Sequence, residues 1–104
     1  MDINKLRDKL MYFVEQRCAD KGFELTPELS YMHLTEEVGE IARQFCNKEM
    51  RPDLYNPDNL REEIVDVILE GIVLASSAGI KDVGKALGEK LDKLYERHGY
   101  QKPE

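Results

Sequence analysis

NLREEIVDVILEGIVLASSAG, residues 59–79, decides the fold. Leu60, Ile64, Val65, Val67, Ile68, Leu69, Ile72, Val73 and Leu74 are apolar at nearly every helical azimuth, which predicts a helix buried at the centre of the protein. Asn56 followed by Pro57 is a start signal: the amide side chain accepts an orphan N–H, and proline wastes no donor at the first helical position. Gly79 supplies the left-handed residue that ends many helices, so the segment is expected to run to about Ala78.

Working outward, Glu49 to Pro57 holds two prolines and no helical period and reads as a loop. Before it, Thr26–Pro27 repeats the start signal for a helix reaching about Lys48. An earlier helix begins after Asp2, with Ile3, Leu6, Leu10, Phe13 and Val14 on one face, and ends near Gly22. Asp82 caps a last helix bearing Val83, Leu87, Leu91 and Leu94, which ends near Gly99. No run pairs β-branched alternation with hairpin turns, so the expectation is an all-α chain, one four-helix bundle-like domain over residues 1–104. So small a subunit is expected to complete its core by self-association.

Composition narrows the function. Lys and Arg number 15 against 21 Asp and Glu, a net charge of −6, which disfavours duplex nucleic acid as a partner. Nothing approaches the roughly 20 consecutive apolar residues a membrane span needs. The first ten residues alternate charged and apolar types, unlike a signal peptide. Cys18 and Cys46 have no ligand-type or disulfide-scaffold spacing, so a cytoplasmic setting is expected.

Acids occupy positions where a core needs apolar groups. His33, Glu36, Glu37, Glu40 and Gln44 share one helical sector, bordered by Leu34, Val38, Ile41 and Phe45. Glu63, Asp66 and Glu70 project from the otherwise apolar third helix. Half-buried carboxylates repel one another and take up protons unless a cation compensates; an oxygen-only donor set suits Mg²⁺, with Mn²⁺ as substitute. Glu37 with Glu40, and Glu63 with Asp66, have the three-residue spacing that lets two side chains reach one point beside a helix. A solvated acidic face is the competing account, stronger for the second helix than for the third. Phe13, Phe23 and Tyr31 suit base stacking or, more commonly, core packing.

Residues 33–42, His-Leu-Thr-Glu-Glu-Val-Gly-Glu-Ile-Ala, resemble the Glu-Glu-x-x-Glu signature of the MazG-like all-α nucleoside triphosphate pyrophosphohydrolases, and Glu62 to Ile68 resembles their Glu-x-x-Asp signature. The Gly79–Ile80 turn, then Ala86, Lys90 and Arg97, extends the likeness over about Thr26 to Arg97. The resemblance implies a helical bundle assembling as a dimer or dimer of dimers. It also implies hydrolysis of a nucleoside triphosphate to monophosphate and pyrophosphate, a nucleotide-pool house-cleaning reaction. By position, Glu37, Glu40, Glu63 and Asp66 would be metal ligands, with Glu36 assisting near the metal or its water. His33, Lys90, Lys93 and Arg97 are the candidate substrate-binding residues, the last three for pyrophosphate. His33 stands where many relatives have Lys, Glu70 where an aromatic is common, and Leu94 where Asn is frequent, departures that bear on substrate identity.

Two other classes compete. A non-catalytic module would use the acids to bind a nucleotide or a protein partner. A di-iron bundle needs Glu-x-x-His pairs, and neither His33 nor His98 follows a Glu by three residues.

Overall fold

The computed structural model describes residues 2–104 and contains four helices. α1 spans Ile3–Lys21, α2 Pro27–Met50, α3 Pro57–Ser77 and α4 Val83–His98; among the described residues there is no strand. Each helix starts where its capping residue predicts. Asp2 accepts from Asn4 N at 2.8 Å, Thr26 Oγ1 from Leu29 N at 3.1 Å, Asn56 Oδ1 from Asp58 N at 3.0 Å, and Asp82 Oδ1 from Lys85 N at 3.0 Å. Gly79, at φ 99°, turns the chain after α3, a conformation that glycine adopts without strain.

α2 and α3 form an antiparallel hairpin. At the loop end, Gln44 Oε1 accepts from Asn56 N at 3.2 Å; at the other, the Ser77 and Ser30 hydroxyls are 3.2 Å apart. α1 lies against the C-terminal part of α3, where Arg7 Nε donates to Ser76 Oγ at 3.0 Å. The start of α4 is fastened to α1 by Asn4, whose Nδ2 donates to Asp82 Oδ1 at 2.9 Å and whose Oδ1 accepts from Gly84 N at 3.0 Å. The small core gathers here: Cys18, Ile72, Val73 and Val83, joined by the buried polar Ser30.

Two expectations change. α2 continues two residues past Lys48, so the connection shortens to a turn held by the Arg51–Asp53 ion pair, with the Lys48 ammonium over the Tyr55 ring. More consequentially, α3 is not a buried central helix. Only Ile72 and Val73 are buried, whereas Val65 is 46 % and Ile68 60 % exposed. α2 covers one side of α3 and α1 and α4 touch it elsewhere, but neither α1 nor α4 packs on α2, so no closed bundle surrounds α3. The radius of gyration is 16.8 Å, against about 13 Å for a compact domain of this length.

Candidate active site

The hairpin register brings the acids of the two signatures together. His33 Nδ1 on α2 lies 3.1 Å from Glu70 Oε1 on α3, and His33 Nε2 lies 3.4 Å from Glu37 Oε1 one turn along its own helix. Because the helices are antiparallel, the His33–Glu70 level is followed by Glu37 beside Asp66, and the same register carries Glu40 towards the level of Glu63. Helical periodicity puts Glu37 and Glu40 on one side of α2 and Glu63, Asp66 and Glu70 on one side of α3.

Electrostatics record the crowding. Burial pushes the Glu37 carboxyl above the usual range; Glu40, Asp66 and Glu70 add to the rise, and His33 opposes it. Glu63 Oε2 is buried with no hydrogen-bond partner. A buried acceptor left unpaired is costly, and charge compensation at that atom would relieve the cost. The donors are carboxylate oxygens, the ligand type that Mg²⁺ prefers. Among the described residues no group of three His, Cys, Asp or Glu side chains is gathered closely enough to enclose an ion. By donor chemistry and by the orphaned oxygen, the set fits a hard divalent cation.

Beside the acids opens a cavity of about 590 Å³ between α1 and α2, with α3 at its floor, a volume typical of small-molecule sites. Phe13 from α1, Phe23 and Leu25 from the connecting segment, and Met32 from α2 give it an apolar wall. His33, Glu36 and Glu70 line the end towards the acids, and Arg17 and Lys21 of α1 bring positive charge. Glu36 is exposed and lines this cavity; Glu37 is half-buried, as is Glu63, while Glu40 and Asp66 are exposed.

Phe13 and Phe23 are 61 % and 47 % exposed, so they serve a cavity wall and not the core, whereas exposed Tyr31 does not line it. Arg17 and Lys21 had no sequence signal beyond their charge, because their place in the cavity depends on how α1 docks against α3. Lys90, Lys93 and Arg97 are exposed on α4, a helix that touches α1 and α3 but not α2, and none of the three lines the cavity.

Compared with known families, residues 25–101 match the MazG nucleotide pyrophosphohydrolase domain. The match takes in α2, α3 and α4 with both acid signatures; α1, one wall of the cavity, lies outside it. No curated protein and no solved structure matches the chain.

Proposed function

The chain belongs to the MazG nucleotide pyrophosphohydrolase family, and from that premise we propose that it hydrolyses a nucleoside or deoxynucleoside triphosphate to the monophosphate and pyrophosphate, with Mg²⁺, as a nucleotide-pool house-cleaning enzyme. The observations that support the proposal are the buried, unpartnered Glu63 Oε2, one turn of α3 before Asp66, and the half-buried Glu37, whose carboxyl is raised by burial and by Glu40, Asp66 and Glu70. Glu37, Glu40, Glu63 and Asp66 would hold the cation, which when bound neutralises phosphoryl oxygens and makes water more acidic.

The remaining work falls to the protein's own groups. Glu36, exposed at the cavity edge, is positioned to orient a water and accept its proton. The cavity would take the nucleoside along its apolar wall. His33 links the ligand helix to the cavity by standing between Glu37 and Glu70. Lys90, Lys93 and Arg97, exposed on α4 and outside the cavity, would bind pyrophosphate if supplied by another copy of the chain or brought in by a movement of α4.

Self-association has independent support. The accessible surface is 8177 Å², roughly 2,000 Å² above that of a compact monomer of this mass. A standard interface removes about 800 Å² per partner, and exposed Val38, Phe45, Val65 and Ile68 on the hairpin provide an apolar surface for it. We therefore assign the working form as a homo-oligomer. Among the described residues no helix is long and apolar enough to cross a membrane, and the free Cys18 and Cys46 suit a reducing cytoplasm.

The deciding experiment screens ribo- and deoxynucleoside triphosphates with and without Mg²⁺, reading pyrophosphate against orthophosphate. Pyrophosphate that appears only with the metal is expected. Orthophosphate as the first product, or no turnover of any nucleotide, rejects the assignment.

A further inference from the structure

The cavity has an asymmetry that its apolar wall does not require. Glu70 is a carboxylate at the floor of a chamber whose wall is mainly apolar and aromatic and which Arg17, Lys21, His33 and Glu36 also line; its side chain is only 19 % exposed. Its Oε1 lies 3.1 Å from His33 Nδ1 across the helix pair, an ion pair when the imidazole is protonated. His33 in turn is 3.4 Å from Glu37, which ties this cavity floor to the acid edge. A planar ligand lying along Phe13 and Phe23 with its phosphates towards the acids would meet Glu70 with one polar edge.

We propose that Glu70, beside His33, is a specificity-determining residue that selects bases offering N–H donors, with the guanine edge as its best match. This rests on the reading of the site as a nucleotide site. An ionised carboxylate only accepts hydrogen bonds, through two oxygens. Guanine presents a ring N–H beside an exocyclic amino group, two adjacent donors that a carboxylate takes together. Cytosine and adenine present an amino group next to a ring acceptor, a one-point match with one repulsive neighbour. Uracil and thymine place carbonyl oxygens on both sides of their single N–H, and those oxygens face the carboxylate unfavourably. A site built around a buried hydrogen-bonding group discriminates strongly against ligands that leave it unpaired.

The test uses the full chain, wild type and Glu70→Gln, an isosteric change that replaces one acceptor by a donor. GMP, AMP, CMP and UMP are titrated in EDTA by NMR, and kcat/KM is measured for the four ribonucleoside triphosphates with Mg²⁺. Expected in the wild type is a preference for guanine over uracil of roughly tenfold or more in both readouts, collapsing in Glu70→Gln. His33→Gln, which removes the imidazole 3.1 Å from Glu70 Oε1, should reduce the preference without reversing it. A wild type that treats GMP and UMP alike, or a Glu70→Gln protein that folds and keeps the preference, overturns the inference. Base preference in metal-free binding with no pyrophosphate from any triphosphate would uphold Glu70 as the reader while rejecting the hydrolytic assignment. Pyrophosphate release with no base preference would do the reverse.

Discussion

Glu37 and Asp82 are both single carboxylates beside helical backbone, and their surroundings push them in opposite directions. Glu37 is half-buried near Glu40 and Asp66, and its carboxyl is held above the usual range. Asp82 is exposed; it accepts from Lys85 N and the Asn4 side chain, and its carboxyl is held below the usual range. At Asp82 the charge is used by the fold, which supplies donors for it. At Glu37 the fold supplies burial and further negative charge, only partly opposed by His33, so the ionised form works against the folded state. Acids that a structure stabilises and acids that a ligand must stabilise can therefore be told apart by their neighbours.

Substitutions at the two places should separate accordingly. The largest effect is expected for Glu37→Ala or Asp66→Ala, which should lower Mg²⁺-dependent kcat/KM on the order of a thousandfold, the loss of several kcal/mol of charge stabilisation. Far-UV circular dichroism should stay unchanged, and substantial turnover in either variant would sink the ligand assignment. Next, Asn4→Ala removes the hydrogen bonds to Asp82 and Gly84 and should cost about 1–2 kcal/mol, or roughly 5–10 °C in Tm. Its kcat/KM at room temperature should match the wild type; a large loss of activity would mean that the corner belongs to the site after all.

A smaller effect, of opposite sign, is expected from Glu37→Gln without metal. Because the folded protein raises this carboxyl, the favourable protonated form is present at low pH and lost as pH rises through the folded pKa, so at neutral pH removing the charge should help. A gain of a few tenths of a kcal/mol, about 2 °C, is expected by calorimetry in low salt, and Mg²⁺ should close the gap by stabilising the wild type. A lower Tm would show that the Glu37 charge is already compensated within the chain. The smallest difference is expected at Asp82. Its carboxyl is lowered, so the stability it gives is present above the ordinary Asp value of 3.8 and is lost as pH falls through the lower folded value. Asp82→Asn keeps a capping oxygen but not the charge, so its acid melting curve should be flatter than that of the wild type, the two converging at the lowest pH. Parallel curves would contradict the assigned role.

Much of this organisation was visible in the residues themselves. Thr26–Pro27, Asn56–Pro57 and Asp82 each begin a helix through a side-chain hydrogen bond made within the first turn, a local event that needs no tertiary partner. The three-residue spacings of Glu37–Glu40 and Glu63–Asp66 likewise fix which side of a helix the acids share. Burial was not visible in this way. The apolar azimuth of Ile64, Val65 and Ile68 is a property of α3 alone, whereas their exposure depends on α1 and α4 packing elsewhere.

The cavity was the least legible feature. Phe13, Arg17 and Lys21 reach it through the docking of α1 on α3, and Phe23 through the left-handed turn at Gly22. No spacing rule connects these residues to Glu70.

By itself, the amino-acid order determined four helices, their starting points and the faces on which the acids lie, because hydrogen bonds within a turn and helical pitch act over a few residues. Only the tertiary structure decided that His33 meets Glu70, that Glu63 Oε2 is sealed without a partner, and that an aromatic chamber opens beside them. Those outcomes depend on the angle and register at which separate helices pack, which are set by side chains far apart in the chain and settled only when their surfaces meet.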